Sequence, residues 1–431
     1  MTPRRLTCIV GHCFFAWVLL AVTGLSAQQQ PTFQTQEEEN AWLRQCMQQL
    51  ERDVAQLLAE RDSPRHSVEA GLDLEFYGYI KLDAAWDSSR TSVGNFARWV
   101  ESEQVNRNDD QFSMTPKQTR IGLKVAGEEQ GSLKTLGQIE FDFYGSAAEN
   151  KASPMLRHAF LKFDWADQKL CLLAGQTWDT MSPLVQPTLN YTVGWWQGNI
   201  GYRRPQIRLT KAFDLGGEVE LKSETALART ITGRMTPFTG SHQDTGQDSG
   251  LPVLQERISL SFPGIGEQST AVGLSGHFGQ EEHDLRANGS GRDYDTWSLN
   301  LDLNLPLGDV LSLQAEVYTG ENVDAYLGGI GQGIDGTLNR EIGAHGGWFA
   351  LLIRPGDPWR FNLGASVDSV TKSDVAAATA RTENRALFGN LLYTVTQSAR
   401  IGLEVSHLRT DYKAMASGES LRVQLAFIMN F

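Results

Sequence analysis

Six basic side chains are placed where fixed charge could act on a passing ion. Lys81 stands between Ile80 and Leu82, and Arg422 between Leu421 and Val423. Arg120 and Lys124 flank the segment holding Ile121 and Leu123, and Arg204 and Arg208 share a segment with Ile207 and Leu209. Successive side chains of an extended chain point to opposite faces. Each of the six charges therefore lies across the backbone from an apolar stripe. If the stripe meets lipid, the charges line a wet interior, where a ring of positive charge attracts anions and repels cations. Neutralisation is the competing outcome. Asp83, Glu140, Asp142, Glu218, Glu220, Glu316 and Glu404 also point inward by parity, and such acids can pair with the cations into structural ladders.

Catalytic chemistry has little support. Gly331, Gly333 and Gly336 match a nucleotide-type glycine pattern, but in a long loop with no helix after it. Ser275 and His277 form an inward pair without a nucleophile-elbow context, and His158 reads as a polar pore-lining residue. No Cys or His cluster has metal-ligand spacing, so neither a metal nor a cofactor is expected.

The charges need strands to hold them. The last strand is the clearest: Leu421, Val423, Leu425, Phe427, Met429 and Phe431 alternate with Arg422, Gln424, Ala426, Ile428 and Asn430, and the chain stops on an aromatic carboxylate. The first, 73–87, turns Leu74, Phe76, Gly78, Ile80, Leu82, Ala84 and Trp86 one way, and Glu75, Tyr77, Tyr79, Lys81 and Asp83 the other. Alternation places further strands near 117–125, 135–144, 156–165, 169–176, 204–212, 217–228, 253–262, 269–278, 294–305, 309–319, 346–354, 359–368, 385–395 and 399–408, sixteen in all. Parity is weak at 253–262 and 346–354. The connections alternate between short turns and long loops with few exceptions. That is the habit of an outer-membrane barrel and not of a soluble sandwich. Phe76, Trp86, Phe143, Trp165, Trp297, Trp359 and Phe431 fall near strand ends, as interfacial girdles do. The predicted fold is all-β: a sixteen-stranded antiparallel transmembrane β-barrel over residues 72–431, preceded by a short coiled-coil helix.

Composition agrees. Mean hydropathy is −0.31, and beyond the N-terminus no apolar run approaches the roughly 20 residues of a spanning helix. The net charge of −13 argues against a nucleic-acid partner. Residues 1–27 read as a signal peptide: Arg4 and Arg5, an apolar stretch from Cys13 to Val22, and Leu25-Ser26-Ala27 as the cleavage site. Its removal leaves Cys46 and Cys171, far apart in sequence and no disulfide framework. A short tail, 28–35, precedes 36–62, where Leu43, Leu50 and Leu57 recur in heptads with Asn40, Met47 and Val54 between them. That is a short coiled coil, marginal unless something larger gathers its copies. Residues 63–71 read as a linker, since Pro64 cannot continue the helix.

A barrel of this size is wide enough to leave an aqueous channel, so something must narrow it. The loop at 177–203 carries Trp178, Tyr191, Trp195, Trp196 and Tyr202 with one acid, Asp179. So many aromatics suit a loop folded into the barrel; packing against a neighbouring subunit is the alternative.

A family resemblance follows from these segments. The run GYIKLDAAWD, then QTRIGLKV, LRHAFLKF, LLAGQTWD leading into the aromatic loop, and RRPQIRL resembles the DcaP-like porins. These are trimeric outer-membrane channels associated with dicarboxylic acids. The resemblance implies a homotrimer held by barrel and coiled coil, the coiled coil lying in the periplasm, and an arginine-rich constriction with Arg120, Arg204 and Arg208 as eyelet residues. The expected function is passive diffusion of small hydrophilic solutes with a preference for anions such as dicarboxylates. Expected partners are outer-membrane lipid, small anionic solutes, and the barrel-assembly machinery through Phe431. A phosphate-selective porin and a structural or adhesive anchor remain the alternatives.

Overall fold

The structure is a computed structural model describing residues 72–146, 151–233, 235–236, 246–266, 268–284 and 291–431. The signal peptide, tail, coiled coil and linker expected at 1–71 lie outside the described residues.

Sixteen strands close into one antiparallel barrel. They are β1 (Asp73–Asp87), β2 (Gln111–Thr115 with Arg120–Ala126), β3 (Leu133–Asp142), β4 (Met155–Trp165), β5 (Leu170–Trp178), β6 (Arg203–Gly216), β7 (Val219–Ala228) and β8 (Val253–Pro263). There follow β9 (Ser269–Asp284), β10 (Gly291–Pro306), β11 (Leu311–Glu321), β12 (Gly343–Gly356), β13 (Trp359–Val370), β14 (Arg381–Thr394), β15 (Ala399–Tyr412) and β16 (Gly418–Asn430). Each pairs with its neighbours in sequence, and the ring closes where β1 meets β16 in a register from Tyr79↔Asn430 to Asp87↔Arg422. Closure leaves no sheet edge unpaired, the condition for crossing a membrane with strands.

β2 departs from the sequence reading. Its upper piece, Gln111–Thr115, pairs with β1 as far as Asp87↔Gln111, within the stretch expected to be loop. The break falls at Pro116, which has no N–H to give a ladder and so interrupts the alternation. β9 and β10 also run further than expected, pairing as far as Asp284↔Gly291. Their upper ends are polar on both faces, so alternation fades there while backbone pairing continues.

Burial is inside out. The outward stripes stay exposed, as at Phe76, Ile80, Ile207 and Leu363, whereas Gln255, Asn362, Glu404 and Gln424 on the inner wall are buried. The apolar clusters lie within the lumen, toward the rim opposite the chain's C-terminus. One gathers Ile200, Tyr318, Val323 and Ile330; another gathers Tyr191, Trp195 and Trp196 with Phe96, Trp99 and Tyr144. Loops 88–110, 179–202 and 322–342 build them.

Candidate pore constriction

Loop 179–202 crosses the lumen and is hydrogen-bonded to the wall at widely separated strands. Near its start, the Thr180 N–H donates to Gln255 Oε1 on β8 at 3.0 Å. The Leu184 N–H donates to Glu316 on β11 at 2.8 Å, and the Leu189 N–H to Glu404 on β15 at 2.6 Å. Asn390 on β14 donates to the Pro187 carbonyl at 2.7 Å. On the facing wall, Lys81 Nζ of β1 and Gln424 Nε2 of β16 both donate to the Leu189 carbonyl at 3.0 Å. The Tyr191 hydroxyl donates to Asp142 on β3 at 2.7 Å. Burial first, then the Asp142 charge, raise the pKa of this loop phenol, which stays a neutral donor. A carboxylate accepting a backbone N–H makes a strong, directional contact. Glu316 and Glu404 are both buried, so they anchor the loop instead of facing solute.

The aromatic residues fall within this loop or at its hinge. Tyr191 stacks on Tyr144 with centroids 3.8 Å apart, and Trp195 meets Trp196 edge-on at 6.3 Å. Trp178 ends β5 beneath Trp195, 6.0 Å away. Asp179 accepts from the Tyr202 N–H at 2.8 Å and from Gln255 Nε2 at 2.7 Å, which pins the loop's two ends together. A cavity of about 130 Å³ remains between loop and wall, lined by Trp178, Pro183, Val185, Tyr202, Arg208 and Glu224.

All six basic residues singled out in the sequence have a carboxylate partner. Lys81 pairs with Asp83 at 3.1 Å, Arg422 with Asp87 at 2.7 Å and Arg204 with Asp179 at 2.8 Å, all nearly or fully buried. Arg120 lies 3.5 Å from Glu140 and Arg208 3.9 Å from Glu224, both partly open. Lys124 meets Glu75 at 2.8 Å on more exposed ground. β16, β1 and β2 are neighbours, but each charge on that wall is matched by an acid. The opposite wall carries a belt of alternating sign: Arg208 on β6, Glu224 on β7, Arg257 on β8 and Asp302 on β10, with Arg257 3.0 Å from Glu224 and 2.7 Å from Asp302.

Among the arginines outside the six that have no carboxylate within salt-bridge distance in the described residues are Arg98, Arg381, Arg354, Arg360 and Arg400, with the buried Arg203 held instead over Trp178 at 4.7 Å. Arg98 of loop 88–110 and Arg381 at the start of β14 both stack on Trp99, at 4.2 and 3.9 Å from its ring centroid. Burial holds the Arg98 guanidinium below its ordinary pKa. At the other end of the barrel Arg354, Arg360 and Arg400 share the inward parity of Asn362, Gly402 and Glu404. Arg354 donates to Asn362 Oδ1 at 2.8 Å and to the Phe361 carbonyl at 2.9 Å. The parity that located Lys81 also locates Arg360, next to outward Phe361, and Arg400, next to outward Ile401. Arg98 and Arg381 carried no such signal, because they meet only through the folding of a loop.

The inward Ser275 and His277 do not bond one another. His277 hydrogen-bonds Ser298 at 2.8 Å and Thr296 at 2.9 Å, while the Ser275 hydroxyl has no hydrogen-bond partner among the described residues. His158 Nδ1 lies 3.1 Å from the Thr177 hydroxyl. The stretch Gly331–Gly336 begins at the last residue of a short 3-10 turn, Gly329–Gly331, and holds a two-residue strand, Ile334–Asp335, with no α-helix following to receive a phosphate.

No protein-family model matches the chain, and no curated relative does. Solved structures do. The outer membrane channel DcaP of Acinetobacter baumannii superposes with a TM-score of 0.68 at 19% identity, covering 86% of this chain and 100% of that one. An anion-selective porin from Comamonas acidovorans gives 0.55 at 11% identity, covering 84% and 100%. OmpF of Salmonella typhi, in complex with daunomycin, gives 0.54 at 12% identity, covering 85% and 99%. The chain has the fold of the bacterial outer-membrane porins, DcaP among them: a closed sixteen-stranded antiparallel barrel.

Proposed function

We propose that this protein is a passive channel of the bacterial outer membrane for small hydrophilic solutes, preferring anions such as dicarboxylates. One observation carries the preference. The inward acids Glu316, Glu404 and Asp368 are buried and accept hydrogen bonds from the backbone of Leu184, Leu189 and Ile330, so they hold loops in place and do not face the solute. The guanidinium groups of Arg98 and Arg381 at one end of the lumen and of Arg354, Arg360 and Arg400 at the other have no acid beside them among the described residues. Where water is scarce such charges are weakly screened: at an effective dielectric constant near 20, two unit charges about 4 Å apart interact by roughly 4 kcal/mol before desolvation. A remainder of about 1.4 kcal/mol gives a tenfold preference.

The working unit in this reading is a homotrimer in outer-membrane lipid, joined through its barrels and secondarily through a periplasmic coiled coil at 36–62. The test is the zero-current potential of the purified protein in a planar bilayer under a potassium chloride gradient. A potential of anion-selective sign is expected; cation-selective sign in dilute salt overturns the anion reading.

A further inference from the structure

Arg98 and Arg381 stand out among the cations of the lumen. Each guanidinium lies within 4.2 Å of the centroid of one indole ring, Trp99, and Arg98 is also 5.3 Å from the centroid of Trp196. Trp99 and Trp196 meet edge-on at 6.3 Å, so the two rings hold a fixed corner. Each arginine is tethered through Nε alone: Arg98 donates to the Ser92 hydroxyl at 3.1 Å, and Arg381 to the Ile330 carbonyl at 3.0 Å. Among the described residues their terminal amino groups make no protein hydrogen bond, and they are not among the fully buried unbonded atoms, so each half-buried guanidinium keeps an edge in contact with solvent.

The frame around the pair is built. Asn384, one turn of the pleat along β14 from Thr382, donates to the carbonyls of Arg98 and Trp196, both at 2.7 Å. Gln197 donates to the carbonyls of Ala97 and Arg98 at 3.1 and 3.0 Å. Gln332 Nε2 donates to the Arg381 carbonyl at 2.8 Å, and the Arg381 N–H donates to Gln332 Oε1 at 3.1 Å. Three loops and a strand thus converge to hold two cations beside one ring. Like charges so placed repel, and among the described residues no carboxylate lies within salt-bridge distance to relieve them. A guanidinium stacked on an indole keeps its N–H edge free for a planar oxyanion.

We propose that Arg98, Trp99 and Arg381 form a capture subsite for a solute bearing two carboxylates, one on each guanidinium, on the side of loop 179–202 facing the rim of loop 88–110. The proposal rests on the anion-channel reading and adds where the solute first stops. Charge-assisted forks to carboxylate are the strong class of hydrogen bond, so losing one should weaken retention by about tenfold.

The experiment is single-channel recording of the full-length protein in a planar bilayer, with succinate added to one side at a time. Wild type should show transient blocks, more frequent when succinate enters at the rim of loop 88–110. In R98Q/R381Q the residence time should fall at least tenfold. R360Q/R400Q, at the other mouth, should leave it within about twofold. Acetate, with a single carboxylate, should block far more briefly than succinate. If the double variant fails to assemble, R98Q alone, on a loop, carries the test with an expected loss of about tenfold. Unchanged residence in R98Q or in the double variant overturns the subsite while an anion-selective wild type keeps the channel reading. A cation-selective wild type overturns the channel reading before succinate is added.

Discussion

Arg257 reaches Asp302 across an intervening strand, over the bare Cα of Gly273. Its Nη2 lies 2.7 Å from Asp302 Oδ1 and its Nε 3.0 Å from Oδ2, although β8 and β10 are separated by β9. A Cβ on Gly273 would lie 2.3 Å from Asp302 Oδ2 and 2.6 Å from Arg257 Nη2. The charge belt from Arg208 to Asp302 thus depends on a missing side chain. G273A should push the pair apart and destabilise the barrel by about 1–3 kcal/mol, the usual cost of overpacking. Denaturant unfolding in detergent measures it; a midpoint equal to that of wild type would mean that the pair adjusts freely.

Gly198 sets how closely loop 179–202 lies on the wall. Its φ is +112°, and a Cβ there would meet the carbonyl oxygens of Gly347 at 2.3 Å and Val367 at 2.5 Å. Those residues are partners on β12 and β13, part of a rigid ladder that cannot yield. G198A combines this clash with backbone strain of about 1–3 kcal/mol. The loop should lift from the wall, and single-channel conductance should change from the wild-type value with broader fluctuation. Identical conductance and noise would show that this contact does not set the aperture.

Arg204 and Asp179 form a fully buried pair at 2.8 Å, with Tyr326 capping the guanidinium at 3.9 Å. R204M leaves Asp179 charged, buried and short of its cation. A loss of about 3–5 kcal/mol is expected for breaking such a pair from one side. Replacing both partners, as in D179L/R204M, should cost clearly less, because no lone charge then remains. Equal losses in single and double variants would deny that the pair is coupled.

Much of the fold could be read from the chain because a lipid-facing strand must be apolar at nearly every second residue, and most of these are. β1 and β16 are uninterrupted on that face, and their predicted ends fall within two residues of the observed ones. β8 was harder because Glu256 stands on the outward face between Leu254 and Ile258, where it accepts from the Ser223 hydroxyl at 2.8 Å and from that of Thr225. β12 was harder because Gly346 and Gly347 carry no side chain to mark a face. Parity places a charge on the inner wall but does not say whether an acid meets it. Lys81 and Asp83 are two apart on one strand and could be matched by inspection. Arg204 and Asp179 belong to different segments and meet only once loop 179–202 has folded inward. Arg98 and Arg381, 283 positions apart, meet for the same reason.

The barrel's closing seam offers a test that does not depend on the pore. Phe431 exchanges backbone hydrogen bonds with Gly78, each at 3.1 Å, and its ring stacks on Phe76 with centroids 5.4 Å apart at 23°. The ring also overlies Gly78: a Cβ there would lie 2.9 Å from Phe431 Cζ. The terminal ring therefore covers the bare backbone where the first and last strands join, on the face turned to lipid. F431S keeps the backbone bonds but removes the stack and exposes that backbone in the apolar band. Outer-membrane levels at normal expression should drop several-fold. F431Y, which retains a ring, should recover most of the level; F431L, apolar without the stack, should fall between. Cell-surface labelling and immunoblotting of outer-membrane fractions measure this ordering. Wild-type levels of F431S would show that seam closure does not need the aromatic ring.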